Sequence, residues 1–261
     1  MQEADLALII DAIKLAGRVA TGFVGKDTRA WDKPGDAGPV TEADLAVNDA
    51  LEGTLRAARP DYGWLSEESE DDTDRLTRDT VFIIDPIDGT RSFVAGSNTW
   101  AHSVAVAHQG QITAAAVYLP LRDKLYTATL GAGAFCNGVP LTTSQADTLN
   151  TGQILATKPV MEPHHWAHGT PTFERAHRPS LAYRLALVAE ARFDAMLTFR
   201  PSWEWDIAAG ALIVTEAGGL CTDKTGANLR FNSASRQLNG VIAAGPVLHR
   251  GVLDALAPNA P

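Results

Sequence analysis

The sequence is poor in the features that mark several classes of protein. Only two of its 261 residues are cysteines, Cys136 and Cys221, which rules out a disulfide framework or a four-thiolate zinc site. Two thiols without a partner pattern are typical of a reducing compartment, so we expect a cytoplasmic protein. No apolar run approaches the roughly 20 residues of a membrane-spanning helix. Glu3 and Asp5 precede the first apolar run without any lysine or arginine, which is unlike a secretory signal.

Positive charge is also scarce. Lysine and arginine total 22 against 31 acidic residues, which gives a formal net charge of −9. A nucleic-acid-binding protein needs a concentrated basic face, so we expect neither a nucleic-acid partner nor a membrane partner. The excess of carboxylates suits a protein that binds cations and a small-molecule substrate. With 45% hydrophobic residues, a chain of this length can bury a large core.

Hydrophobic periodicity predicts a fold of alternating helix and sheet layers. Apolar residues at helical spacing predict helices over 3–24, 42–58, 181–193, 206–217 and the C-terminal segment. Short β-branched or alternating runs predict strands over 81–84, 100–107, 112–119, 124–129 and 241–244, the middle three forming an antiparallel meander. Residues 26–39 are predicted as a loop, and residues 223–226 as the turn of a hairpin. We expect an α/β (α+β) layered sandwich, with 1–139 as an N-terminal α+β part and 140–261 as a C-terminal α/β part of one compact unit.

The most informative segment is 85–90, Asp-Pro-Ile-Asp-Gly-Thr, which follows the predicted buried strand 81–84. Burying an unpaired carboxylate costs several kcal/mol, and a divalent cation such as Mg²⁺, which prefers oxygen ligands, is a common remedy. The carbonyl of Ile87 could serve as a further ligand, and Gly89 can adopt a positive φ that lets a phosphate approach the backbone. A helix that starts near Thr90 would offer free N–H groups to that phosphate. The alternative is an ordinary turn at a strand end, where Asp, Pro and Gly are common.

Three further acidic positions have comparable alternatives. Glu67 and Glu68 follow an apolar pair, and either could turn inward, although acidic runs such as 67–74 are usually solvated. Asp206 opens a helix of small residues and could be its N-cap. Thr41 and Asp44 could likewise be only a capping pair.

Taken together, the four segments resemble the inositol monophosphatase superfamily of Mg²⁺-dependent, lithium-sensitive phosphatases. The matching residues are Pro39-Val40-Thr41-Glu42-Ala43-Asp44, Glu67-Glu68, Asp85-Pro86-Ile87-Asp88-Gly89-Thr90 and Trp205-Asp206-Ile207-Ala208-Ala209-Gly210. They occur in the family's order and cover nearly the whole chain. The resemblance implies a fold like that of inositol monophosphatase and fructose-1,6-bisphosphatase, and a phosphomonoesterase activity that uses a metal-activated water.

The resemblance also assigns roles to individual residues. It implies a first metal on Glu67, Asp85 and the Ile87 carbonyl, a second on Asp85, Asp88 and Asp206, and a third held through waters by Glu67. Thr90 and Asp44 would activate the attacking water, Lys33 would lie near the metal-bound waters, and Gly89 with Thr90 would contact the substrate. Two or three Mg²⁺ ions and a homodimer are expected on the same basis.

The substrate is predicted from departures within the family. Inositol-specific members carry a glutamate seven residues before the last metal-binding aspartate, and this position is Phe199. The segments Leu65-Ser66-Glu67-Glu68, Val188-Ala189-Glu190 and Glu204-Trp205-Asp206 resemble the branch that hydrolyses 3′(2′),5′-bisphosphate nucleosides, such as 3′,5′-bisphosphoadenosine to AMP. Arg184 stands where that branch has a lysine and is predicted to bind the second phosphate, because a guanidinium can grip phosphate with two hydrogen bonds.

Several alternatives stay open at this point. The usual Gly-Ser-Ser of the nucleotidase branch is Ser180-Leu181-Ala182 here, and Gly38 stands where some family members have a metal-binding aspartate. Arg91-Ser92-Phe93 resembles histidinol-phosphate phosphatases. Inositol 1-phosphate, histidinol phosphate or a sugar bisphosphate could therefore be the substrate. A non-catalytic regulatory protein on the same scaffold is the remaining alternative.

Four histidines, at 164, 165, 168 and 177, form a cluster in the sequence. His164 and His168 have the spacing of a metal-binding pair on a helix. Because Pro163 and Gly169 flank them, we expect a loop with solvated imidazoles instead.

Overall fold

The described part of the chain, residues 2–26, 28–33 and 38–258 of a computed structural model, alternates helices with strands. Its helices are α1 (Gln2–Thr21), α2 (Glu42–Ala58), α3 (Thr90–Val94), α4 (Leu181–Ala189), α5 (Glu204–Glu216) and α6 (Pro246–Ala255). Two short antiparallel ribbons pair β1 (Ala30–Asp32) with β2 (Pro39–Thr41), and β13 (Ser202–Trp203) with β15 (Gln237–Leu238).

A seven-stranded sheet forms the centre of the N-terminal half. Its strands follow one another in chain order: β3 (Gly63–Ser66), β4 (Thr80–Asp88), β5 (Ala101–His108), β6 (Gln111–Leu119), β7 (Lys124–Thr129), β8 (Ala134–Cys136) and β9 (Val139–Pro140). Only β3 and β4 are parallel neighbours, and the remaining pairs are antiparallel. The predicted meander over β5, β6 and β7 is confirmed.

Strand β4 is covered by helices on both faces. Phe82 and Ile84 pack with residues of α1 and α2, whereas Val81 and Ile83 pack with residues of α4 and α5. This division follows from the two-residue period of a strand, whose successive side chains point to opposite faces. A strand buried on both faces lacks the alternating polar residues of a half-exposed strand. The first part of β4 is therefore a continuous apolar run in the sequence.

A second sheet of five strands lies beyond α4 and α5. Its order is β11 (Glu174–Ala176), β10 (Gln153–Ala156), β12 (Ala195–Thr198), β16 (Val241–Ala244) and β14 (Leu220–Thr222). Leu155, Met196 and Ala243 of this sheet share a core with α4 and α5. On its other face, α6 packs through Leu248 and Val252. The layers therefore run helix, sheet, helix, sheet, helix, and the predicted layered sandwich is confirmed.

The structure differs from the predicted elements in several places. The predicted loop 26–39 contains β1 within its described residues, and α1 and α4 end earlier than predicted. The predicted turn at 223–226 is present, since the Asp223 N–H donates to the Ala227 carbonyl at 2.9 Å, but its hairpin is reduced to a single antiparallel bridge between Thr222 and Asn228. Strand β14 pairs with β16 instead. The predicted boundary at 139/140 falls inside β9, and α5 of the C-terminal half packs on the first sheet. The division into two parts stays a prediction.

Two expectations from the composition can be compared with the described residues. Both cysteines are free thiols. Within residues 2–26, 28–33 and 38–258, no helix combines the length and apolarity required to cross a membrane.

The close approach of α4 and α5 depends on a glycine. A Cβ at Gly210 would lie 2.5 Å from Cβ and Cδ1 of Leu185. We expect Gly210→Ala to lower the free energy of unfolding by about 1–3 kcal/mol, the usual cost of overpacking a core. Gly53→Ala is the matched control, because Gly53 lies on an exposed face of α2 with no atom within 4 Å of the added Cβ. The control should gain about 0.5–1 kcal/mol in urea denaturation, as alanine is the better helix former. Equal stability of Gly210→Ala and wild type would show that α4 can move away at no cost.

Candidate active site

The end of strand β4 places Asp85 at the centre of the site. Asp85 pairs with Ser103 of β5, and the register then shifts before Asp88 pairs with Ala101. Within this irregular stretch, the His102 ring Nδ1 donates a hydrogen bond to the carbonyl oxygen of Pro86. Because the regular pairing of β4 with β5 is interrupted between the two aspartates, this bond fixes the path of the chain there.

Two other carboxylates reach Asp85 from neighbouring elements. Glu67 directly follows β3, and its backbone N–H donates to the Ile84 carbonyl at 3.1 Å. Asp206 lies in the first turn of α5, where the Ser103 hydroxyl donates to the Trp205 carbonyl at 3.0 Å and ties the helix to β5. Glu67, Asp85 and Asp206 each offer a carboxylate oxygen within 4.8 Å of the other two.

The electrostatics of this cluster require a compensating charge. Asp85 is 1% exposed, and its Oδ1 has no hydrogen-bond partner among the described residues. Burial raises the pKa of Asp85 well above its usual value, and the charges of Glu67, Asp88 and Asp206 raise it further. The pKa of Asp206 is raised by burial and then by Asp88 and Glu67. A partnerless buried oxygen among converging carboxylates fits a hard divalent cation, whose ligands are oxygens.

Asp88 also serves to anchor α4. Its Oδ2 accepts hydrogen bonds from the Ser180 hydroxyl at 2.7 Å and from the Ala182 N–H at 2.6 Å. Burial raises the pKa of Asp88 to about 6, although these two hydrogen bonds oppose the shift. One oxygen of Asp88 therefore holds the start of α4, while the charge of the Asp88 carboxylate contributes to the acidic cluster.

Asp44 has one function for each of its oxygens. Its Oδ2 completes a capping box with Thr41 at the start of α2, and its Oδ1 lies 3.2 Å from the Thr90 hydroxyl. Asp44 therefore caps α2 and also contacts Thr90, while its role toward a water stays a prediction. The Thr90 hydroxyl is also 3.2 Å from the Ile87 carbonyl oxygen. Burial raises the pKa of Asp44 to about 6. Gly89, with φ of 97°, makes the turn from β4 into α3.

Lys33 bridges both glutamates that follow β3. Its Nζ lies 2.7 Å from Oε1 of Glu67 and 2.6 Å from Oε1 of Glu68. Burial disfavours the Lys33 ammonium, but the two carboxylates outweigh this effect and raise its pKa. Burial, followed by the charge of Glu67, raises the pKa of Glu68 to about 7. The side chains of both glutamates thus turn inward. The alternative of a solvated acidic run would have placed them in water.

The interpretation of Asp206 as a helix cap is wrong. The N-cap of α5 is Trp203, and Asp206 is the third residue of the helix, with its carboxylate in the acidic cluster. Glu204, two residues before Asp206, is fully buried and accepts hydrogen bonds from the N–H groups of Asn232 and Ser233. Glu204 therefore fixes a loop beside the site.

The structure brings Arg184 near the acidic cluster and engages two of its guanidinium nitrogens, Nε and one Nη, elsewhere. Arg184 is 4% exposed, and its guanidinium donates to the Arg178 carbonyl and to Nε2 of His177, the latter at 2.8 Å. Burial lowers the pKa of Arg184 to about 10, partly offset by the charge of Asp88. The role of Arg184 in substrate binding stays a prediction.

Arg200 was missed by the sequence analysis. It is exposed, and its charge acts on both Asp206 and Arg184. The preceding residue, Phe199, packs against His165 and Trp166 and also lines a cavity of about 410 Å³ together with Arg200 and Lys224. The one available signal was the position of Arg200 between Phe199 and the Trp-Asp motif.

Helix and sheet layers that surround converging carboxylates, with an aspartate–threonine pair beside them, define a metal-dependent phosphatase. The chain belongs to the inositol monophosphatase family, whose model matches residues 1–259.

Individual relatives support this membership. The chain is 34% identical to an inositol-1-monophosphatase of Rhizobium meliloti strain 1021 over 252 residues, 90% of this chain and 91% of that protein. It is 34% identical to the Nus factor SuhB of Escherichia coli K12 over 254 residues, 92% of this chain and 90% of that protein. The crystal structure of the extragenic suppressor protein SuhB from Bartonella henselae superposes with a TM-score of 0.83 at 30% identity, covering 98% of this chain and 99% of that one. The predicted family is confirmed, but these names do not point to the bisphosphate nucleotidase branch.

The partnerless carboxylate predicts an unusual effect of Asp85→Asn. In protein stripped of metal with EDTA, we expect this variant to unfold at a higher temperature than wild type, because it removes a charge from a buried acidic cluster. Added Mg²⁺ should stabilise the wild type, by about 2.7 kcal/mol when free Mg²⁺ is 100 times its Kd, and should leave the variant unchanged. Thermal unfolding with and without Mg²⁺ measures both effects. A metal-free variant that is less stable than wild type would contradict the assignment of repulsion to this cluster.

Proposed function

We propose that this phosphatase uses Mg²⁺ to hydrolyse a small polyol phosphate monoester of the inositol 1-phosphate type. The observation that carries the metal assignment is the buried Asp85 oxygen, which has no protein partner in the described chain and is surrounded by further carboxylates. The names of the inositol-1-monophosphatase relatives support the substrate class.

The proposed metal ligands are the residues of the acidic cluster. Glu67, Asp85, Asp88, Asp206 and the Ile87 carbonyl would hold two or three Mg²⁺ ions, consistent with the oxygen-only donor set. When bound, such ions neutralise phosphate charge, lower the pKa of a water and stabilise the leaving oxygen. Lys33 would balance the charges of Glu67 and Glu68 and keep Glu67 turned toward the cluster.

Thr90 and Asp44 would position the attacking water. Since Oδ2 of Asp44 is held by Thr41, its Oδ1 faces Thr90 and can accept the threonine proton. The Thr90 oxygen is then left with lone pairs that can accept a hydrogen bond from a water. That water would attack phosphorus, keeping one proton as the new phosphate hydroxyl and passing the other through Thr90 to Asp44. The bond to the alcohol oxygen would break, and the alkoxide would take a proton from solvent and leave as the alcohol, followed by inorganic phosphate. Gly89 has no side chain to obstruct a phosphate beside the α3 N–H groups.

A second candidate substrate is a 3′(2′),5′-bisphosphate nucleoside. The observation that favours it is the cavity of about 410 Å³ beside Phe199, which also contains the cations of Arg200 and Lys224. An aromatic wall suits a base, and two cations suit a second phosphate. Arg200 lines this cavity, whereas Arg184 is buried outside it and has two of its guanidinium nitrogens bonded to Arg178 and His177. The relatives favour the inositol phosphate, which is why this candidate stands second.

A phosphate-release assay distinguishes the candidates. We expect Mg²⁺-dependent turnover of inositol 1-phosphate, silenced by EDTA, with a higher kcat/KM than for 3′,5′-bisphosphoadenosine, histidinol phosphate or fructose 1,6-bisphosphate. A preference for the bisphosphate nucleoside would move the second candidate to first place. Absence of turnover with every substrate at saturating Mg²⁺ would favour a non-catalytic protein on this scaffold.

The threonine–aspartate pair makes a kinetic prediction. Thr90→Ala should lower kcat on the order of 10²-fold, with little change in KM, because a positioned water matters chiefly in the transition state. Thr54→Ala is the matched control, since Thr54 lies on α2 and bonds only to the Ala50 carbonyl. Steady-state kinetics of both variants decide the role. A change confined to KM would assign Thr90 to substrate binding instead.

A further inference from the structure

A second group of potential metal ligands lies in the segment that follows β10. Glu162 caps a short 3₁₀ helix, Pro163–His165, that contains His164 and His165. The His165 N–H donates to the Glu162 carbonyl at 3.1 Å, and the His165 carbonyl accepts from Ala257 at 2.8 Å. Both ends of the turn are thus fixed. The expectation of a loop with solvated imidazoles is wrong for His165, which is 8% exposed.

The three side chains converge. Each offers one ligand atom within 4.8 Å of the other two, and Nδ1 of His164 lies 3.5 Å from Oε2 of Glu162. The two imidazole rings have centroids 3.9 Å apart. Ligands bound tetrahedrally at about 2.1 Å from a zinc ion are separated by roughly 3.4 Å, so the histidine–glutamate distance already matches.

His165 supplies an independent observation. Its Nδ1 is buried and has no hydrogen-bond partner within the described residues. Leaving such a group unsatisfied costs about 1–3 kcal/mol. Burial lowers the pKa of His165. The ring packs against Phe199 with centroids 4.9 Å apart, which restricts its orientation.

We propose that Glu162, His164 and His165 form a binding site for a transition-metal ion of the Zn²⁺ type. Two imidazole nitrogens and one carboxylate suit Zn²⁺, whereas Mg²⁺ prefers oxygen ligands only. Glu162 and His164 are exposed, so the ion enters from solvent and keeps a water as a further ligand. The protein then carries two metal centres of different donor chemistry, one around Asp85 of β4 and one in the segment between β10 and β11.

Metal binding to the full, untagged chain tests this inference. With Mg²⁺ at saturation to occupy the acidic cluster, we expect one equivalent of Zn²⁺ to be retained in equilibrium dialysis. We expect Co²⁺, used as a probe, to give the visible absorption of a site with nitrogen ligands. His164→Ala should weaken Zn²⁺ binding by at least about tenfold, since the loss of even an outer-shell partner can cost that much. His168→Ala is the matched control, because His168 is exposed in the same segment and lies outside the cluster.

The active-site carboxylates provide the second control. Asp85→Asn should retain the Zn²⁺ equivalent, and His164→Ala should retain Mg²⁺-dependent phosphate release. If Zn²⁺ binding is lost in Asp85→Asn and unchanged in His164→Ala, the ion resides in the acidic cluster and the proposal is wrong. Absence of any retained Zn²⁺ in the wild type would overturn it equally. Neither outcome bears on the proposed phosphatase function, which the phosphate-release assay tests separately.

Discussion

The architecture of this protein depends on holding several carboxylates together, of which Asp85 and Asp88 are buried and Glu67 and Asp206 are half-buried. Asp85 lies at the end of a strand covered on both faces, and Glu67, Asp88 and Asp206 add their charges around it. Neither burial nor repulsion favours the ionised form, so the fold stores an unfavourable interaction that a cation relieves. The surrounding layers supply the rigidity needed to keep these groups from turning away.

Hydrogen bonds of the acidic residues themselves add to the rigidity that the layers supply. Asp44 uses one oxygen to cap α2, Asp88 uses one oxygen to hold Ser180 and Ala182, and Glu67 is held by Lys33. Each side chain is thereby fixed through one set of contacts while its charge remains in the site. Such supporting bonds restrict ligand orientation before any metal or substrate arrives, and this preorganisation is what precise positioning of a phosphate requires.

Local patterns predicted much of the fold but little of what depends on distant contacts. Helix α2 and strand β16 have the predicted bounds, because a period of 3.6 residues and a short β-branched run are both contained within the segment itself. The segment 85–90 could be identified equally well from the sequence, because carboxylates directly after an apolar strand stand out. Asp206 remained ambiguous, because the cap of α5 is set by Trp203, whose strand β13 pairs with β15 far along the chain. His165 was misjudged for a similar reason, as it is covered by residues near Ala257. For Arg200 the only local signal was its position between Phe199 and the Trp-Asp motif.

The hydrogen bond between Ser103 and Trp205 joins residues 102 positions apart along the chain. During synthesis from the N-terminus, the segments of the first sheet, with three of the carboxylates, are therefore made before the helix that carries the fourth. Docking of that helix brings Asp206 against like charges, and it is at this late step that repulsion is greatest. A cation that compensates the charges would thus favour the docking of α5 on the first sheet as well as the chemistry of the site.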